Sequence, residues 1–88
     1  MPGTISDLLA AEVRTRRTAL RLTQRDLADM AGVSERFVRF VEQGKSSIQL
    51  NSLTAVLATL GLELRLGART SLAARNIGGR DRDPEPTL

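Results

Sequence analysis

Residues 23–44 read TQRDLADMAGVSERFVRFVEQG, and the punctuation of this stretch decides the fold. Thr23 carries the hydroxyl of a helix N-cap, able to accept from a first-turn amide, and Asp26 follows where negative charge suits the helix dipole. Leu27, Ala28, Met30 and Ala31 then supply an apolar packing face. The tetrapeptide Ala31-Gly32-Val33-Ser34 ends this helix and begins another. Gly32 takes a positive φ at little cost, Val33 is an apolar plug, and Ser34 caps a helix predicted over Glu35 to Gln43 that stops at Gly44. Two helices joined by so short a turn cross at a steep angle.

Working outward, a first helix is expected over about Asp7 to Arg21. Thr4 or Ser6 caps it, and Leu9, Val13 and Leu20 supply core contacts. After a loop, Lys45 to Leu50, a fourth helix is expected over Asn51 to Leu60. There Leu53, Val56, Leu57 and Leu60 form one apolar stripe at i, i+3, i+4 and i+7, closed by Gly61. The period then changes. Leu62-Glu63-Leu64-Arg65-Leu66 alternates strictly, as a half-buried strand does. A lone five-residue strand leaves its backbone groups without partners, and nothing else in the chain reads as a second strand. The expected partner is the same strand of a second copy, antiparallel across a two-fold axis. Centred on Leu64, that register sets Glu63 against Arg65 of the other chain twice, and Leu62, Leu64 and Leu66 cover the dimer core. Beyond Gly67 the glycine pair Gly78-Gly79, the alternating Arg/Asp run and Pro84-Glu85-Pro86 read as a flexible tail.

Composition narrows the class of activity. The 88 residues have room for one domain. With no cysteine and no histidine, the chain has no disulfide staples and lacks the usual metal ligands, nucleophile and proton shuttle. No metal, cofactor or enzymatic activity is expected. The longest apolar run, Ala55 to Leu60, is far short of a membrane span, and no secretory signal is evident, which places the chain in the cytoplasm. The net charge is +3, and all of the 13 basic residues except Lys45 are arginine. Arginine offers a planar donor fork suited to phosphates and guanine edges. Arg14, Arg16, Arg17, Arg21, Arg25, Arg36, Arg39 and Lys45 crowd one stretch of the chain.

The combination of Thr-Gln-x-x-Leu-Ala, Gly-Val-Ser and a late Glu-x-Gly between Thr23 and Gly44 resembles the helix-turn-helix of the XRE, lambda-repressor-like family, over about residues 5–61. The resemblance implies an all-α domain of four to five helices over residues 1–61 that binds DNA. A short dimerisation strand (62–66) and a tail (67–88) follow it. It also implies a largely buried salt bridge between Arg17 and Glu42, which removes Arg17 from the phosphate contacts. Gln24 is the position at which the family braces against a backbone phosphate, and a first-turn polar residue with no such role is the other reading. Ser34, Gln43 and Lys45, at the ends of helix three, stand where family members touch phosphates.

Helix three decides specificity in this motif, its N-terminal residues entering the major groove. With Val38 and Val41 inward, helical geometry turns Glu35, Arg36, Arg39 and Phe40 outward together. Arg36 and Arg39 can each fork onto guanine O6 and N7, or contact phosphate alone. Glu35 can accept from a cytosine amino group or serve as a favourable helix-start charge. Phe40 can meet a thymine methyl, or pack against Phe37 or a partner protein.

A helix-turn-helix followed by a short Leu-rich strand further resembles HipB-type antitoxins. That resemblance implies a homodimer that represses its own operon at an inverted repeat of double-stranded operator DNA, associates with the nucleoid and binds a HipA-like kinase toxin. A stand-alone dimeric repressor and a protein-binding adaptor without DNA remain the alternatives.

Overall fold

A computed structural model describes residues 3–76. Five helices follow one another: α1 (Ile5–Ala19), α2 (Gln24–Ala31), α3 (Glu35–Glu42), α4 (Leu50–Thr59) and α5 (Leu72–Asn76). Local chemistry sets their starts. Thr4 caps α1 by accepting from the Asp7 amide at 3.1 Å. Thr23 and Asp26 form a reciprocal capping box on α2, with bonds of 2.9 and 3.0 Å. Ser34 caps α3 by accepting from the Phe37 amide at 3.0 Å.

The stops share one device, a left-handed residue just past the last turn. Gly32, Gly44 and Gly61 serve α2, α3 and α4 with φ of 75°, 76° and 78°. At the end of α1 the same conformation falls to Arg21, at φ 61°. There the Leu22 and Arg21 amides reach the Arg17 and Thr18 carbonyls at 3.1 and 2.9 Å, closing the paired bonds of a Schellman motif. An L side chain in this conformation costs about 1–2 kcal/mol.

The core is Val13 of α1, Leu27 and Ala28 of α2, Val38 and Val41 of α3, and Leu53, Val56, Leu57 and Leu60 on and just after α4. Helix α3 packs on both α1 and α2, and α2 packs on α4. Val33 and Phe37 are partly buried against this cluster, so the short α2–α3 turn is pinned from inside. The predicted stripe of α4 is buried throughout.

Two predicted core residues are not there. Met30 is 63% exposed, because it lies about 100° around the helix from the centre of the Leu27–Ala28–Ala31 stripe. Leu20 is 51% exposed, since α1 ends at Ala19 and the chain turns away at the cap.

The segment predicted as a strand, Leu62 to Leu66, lies outside regular structure, and no strand occurs among the described residues. A ladder needs a second edge, and one chain supplies none. Only Leu62 packs on the core, while Leu64 and Leu66 are exposed. Glu63 and Arg65, predicted to meet across two chains, pair within this one at 2.6 Å. Ile5 and Leu8 of α1, both exposed, join Leu57, Leu62 and Leu64 along a shallow apolar groove. Within the stretch expected as a tail from residue 67, α5 forms over Leu72–Asn76. The rest of that prediction, residues 77–88, lies outside the described residues.

Candidate nucleic-acid interface

The α2–turn–α3 unit is held at a fixed angle by a polar hub beneath it. Glu42, in the last turn of α3, is 5% exposed. Its carboxylate accepts from Arg17 Nε at 2.6 Å and Nη2 at 3.0 Å, and from Gln24 Nε2 at 3.1 Å. Arg17 also donates Nη1 to the Leu22 carbonyl at 2.9 Å. One carboxylate thus ties the end of α3 to α1 and to the first turn of α2. Burial pushes the Glu42 carboxyl upward. The hydrogen bonds from Arg17 and Gln24 and the charges of Arg17 and Arg14 outweigh that, holding it below its ordinary value. The Glu42 hydrogen bond holds Arg17 above its own.

Two further arginines of α1 do work that no local pattern announces. Arg14 Nη2 donates to the Glu42 main-chain oxygen at 2.6 Å, closing the end of α3. Arg16 Nε donates to the Leu60 carbonyl at 3.1 Å and its Nη2 to Gly61 at 3.4 Å, closing the end of α4. These side chains satisfy carbonyls that a helix leaves unpaired. The basic crowding seen in the sequence therefore divides in two. Arg14, Arg16 and Arg17 are bonded to acceptors within the domain, Arg14 and Arg16 while still exposed, whereas Arg21, Arg25, Arg36, Arg39 and Lys45 are exposed and bond to no helix end among the described residues.

Helix α3 has two chemically distinct sides. Val38 and Val41 are fully buried, and Glu35, Arg36 and Arg39 are exposed. Among the described residues Arg36 has no carboxylate within salt-bridge reach. Arg39 does, because its Nη1 lies 3.3 Å from Glu35 Oε2, one turn back. Phe40 is half-buried rather than fully outward, and it is not among the residues packed on the core. Gln43 and Lys45 are exposed beyond the end of the helix. Ser34 is exposed but spends its acceptor on the α3 cap, which leaves its O–H to donate. Gln24 is half-buried and gives one N–H to Glu42, keeping the second.

The arrangement thus presents arginine forks and small polar donors around a helix whose opposite side is locked in the core. Among the described residues no group of three or more carboxylates, histidines or cysteines is placed to hold a metal ion. No helix among them is long and apolar enough to cross a membrane.

Residues 13–66, more than half of the chain, match the family model described as Helix-turn-helix. No curated protein matches the chain.

Proposed function

The chain belongs to the helix-turn-helix family of the XRE type, and from that footing we propose that it is a transcription regulator that reads duplex DNA with α3. The observation carrying this reading is the division of α3 itself, with Val38 and Val41 at 0% exposure on one side and Arg36 and Arg39 in solvent on the other. A helix so anchored can enter a major groove without rearranging the core. In this reading Glu35, Arg36, Arg39 and Phe40 meet base edges. Gln24, Ser34, Gln43 and Lys45 bind phosphates through the donors their internal bonds leave over. Lys45 and the arginines supply affinity that falls with salt, and base-edge contacts supply the choice of sequence.

The regulator acts as a homodimer on an inverted repeat, its half-sites about 34 Å or a multiple apart. Two features favour a second copy. Among the described residues no backbone–backbone hydrogen bond engages Glu63 to Leu66, the Leu62 N–H being taken by the Leu57 carbonyl at 2.8 Å, so this segment stands open beyond Leu62. Beside them lies the apolar groove of Ile5, Leu8 and Leu57. The finer role proposed is that of an antitoxin that represses its own operon and binds a HipA-like kinase toxin. Its support is the Leu-rich segment directly after α4.

The test is fluorescence anisotropy of the protein against a duplex enriched from a randomised library and against an unselected duplex. Salt-sensitive binding with a preference of about 1,000-fold or more for the enriched site is expected. Absence of any salt-sensitive binding would refute the DNA reading. Purification from the source cell addresses the finer role: a kinase recovered in near-equal amount supports it, and recovery of the protein with only its promoter fragment favours a stand-alone repressor.

A further inference from the structure

Glu35 is the one exposed acid on α3, set among the very arginines proposed to meet DNA. Its position is fixed. Ser34 caps the helix, so Glu35 is the first helical residue, and its carboxylate reaches Arg39 Nη1 one turn on at 3.3 Å. The two side chains are 45% and 48% exposed, so neither is trapped by packing and the pair can open. Resting on the DNA-binding reading, we infer that Glu35 sets selectivity by holding Arg39 back from phosphate and yielding it only to a guanine edge beside a cytosine amino group.

The chemistry of the two encounters differs. Phosphate oxygens, guanine O6 and N7 and thymine O4 are all acceptors, and each repels a carboxylate that cannot donate. For Arg39 to reach a phosphate, either its bond to Glu35 breaks or the carboxylate is held beside a second negative charge, and no donor repays it there. At a guanine, Arg39 keeps Nη1 on Glu35 and uses its remaining donors on O6 and N7. The other oxygen of Glu35 then accepts from a cytosine N4 amino group. Nothing is left unpaired at the matching site, and at other sites a charge is. Specificity of this kind comes from a penalty on wrong partners as much as from contacts to the right one. Arg36, with no carboxylate in reach among the described residues, carries no such restraint.

The experiment compares wild type, Glu35→Gln, Arg39→Ala and the double variant. Each is titrated against a duplex enriched by wild type from a randomised library and an unselected duplex of equal length, over a range of salt. Thermal melts confirm that the variants, altered only at exposed positions, are folded. Glu35→Gln keeps the shape and removes the charge. It is expected to bind the unselected duplex more tightly, with a log–log salt slope steeper by about 0.9 per protomer as Arg39 takes a phosphate. Its preference for the enriched site is expected to fall by about fivefold or more. Arg39→Ala weakens binding to both duplexes, and adding Glu35→Gln restores part of the loss on the unselected one. Unchanged affinity and slope on the unselected duplex for Glu35→Gln overturn the inference, even if preference falls, because Glu35 then only reads a base. Wild type without salt-sensitive binding overturns the DNA reading as well, a result distinct from wild-type binding that Glu35→Gln leaves untouched.

Discussion

Glu42→Ala is expected to remove about 3 kcal/mol of the stability of this domain. The substitution deletes the acceptor of two Arg17 bonds, at 2.6 and 3.0 Å, and of the Gln24 bond at 3.1 Å. It leaves the Arg14 bond in place, since that one ends on the main-chain oxygen. Arg17, at 14% side-chain exposure, then keeps its charge with only the Leu22 carbonyl for company. Removing one partner of a buried pair costs about 3–5 kcal/mol, and the slight water access of Arg17 argues for the lower end. A domain of this length is stable by about 4–11 kcal/mol. With a urea slope near 1 kcal/mol/M, the unfolding midpoint should drop by about 3 M. Urea titration followed by far-ultraviolet circular dichroism measures this directly. Arg17→Met should lose a similar amount, because it strands the carboxylate instead. Arg17→Met combined with Glu42→Leu should recover most of the loss, since a packed apolar pair strands nothing. A Glu42→Ala midpoint within about 1 M of wild type, or a double variant no better than the singles, would refute the claim that this pair is a buried hub.

Three further outcomes follow from the same geometry. Glu42 and Asp26 both titrate below their ordinary values, 4.5 and 3.8, Glu42 against its burial and Asp26 through its hydrogen bonds to Thr23. Their stabilisation is therefore complete above those ordinary values and lost as pH falls through the lower, folded ones. Melting temperature should hold from neutral pH to about 4.5 and decline below it, and the gap between wild type and Glu42→Gln should narrow over that decline. Gly44→Ala should destabilise more than Gly32→Ala in thermal melts. Both glycines are left-handed, but only at Gly44 does an added methyl meet a neighbour, Asp7 Oδ1 at 3.3 Å. About 1 kcal/mol is expected for Gly32→Ala from the backbone alone, and an equal loss at the two sites contradicts the contact. In DNA titrations Arg36→Ala should cost about 1–3 kcal/mol at one base position and relax the choice there, whereas Lys45→Ala should weaken all sequences alike. Equal losses on selected and unselected duplexes for Arg36→Ala would remove it from the base-reading set.

The parts legible in the sequence are those governed by neighbours in the chain. Thr23, Gly32, Ser34 and Gly44 punctuate α2 and α3 through bonds spanning a few residues, and those boundaries match the pattern to within a residue. The α4 stripe was readable because one helix face meets one core. Met30 misleads because its apolar character is visible and its angle around the helix is not, and Leu20 because α1 stops one residue before it. The short helix α5 carries no periodicity long enough to register. In the sequence Arg14 and Arg16 read as surface charge because their acceptors lie 28 and 44 residues away, on helix ends that only the fold brings near. The Glu35–Arg39 pair sits at i, i+4 and could have been read from spacing alone.

The reach of those α1 arginines has a consequence in time. Residues 5–19 leave the ribosome before the carbonyls that Arg14 and Arg16 close, which belong to residues 42, 60 and 61. At about 5–20 residues per second, the wait from Arg16 to Leu60 is about 2–9 s. During it α1 is a helix too short to hold by itself. A nascent chain cut short of Leu60 thus holds the Glu42 acceptors of Arg14 and Arg17 but lacks those of Arg16, and its α1 is only partly fastened.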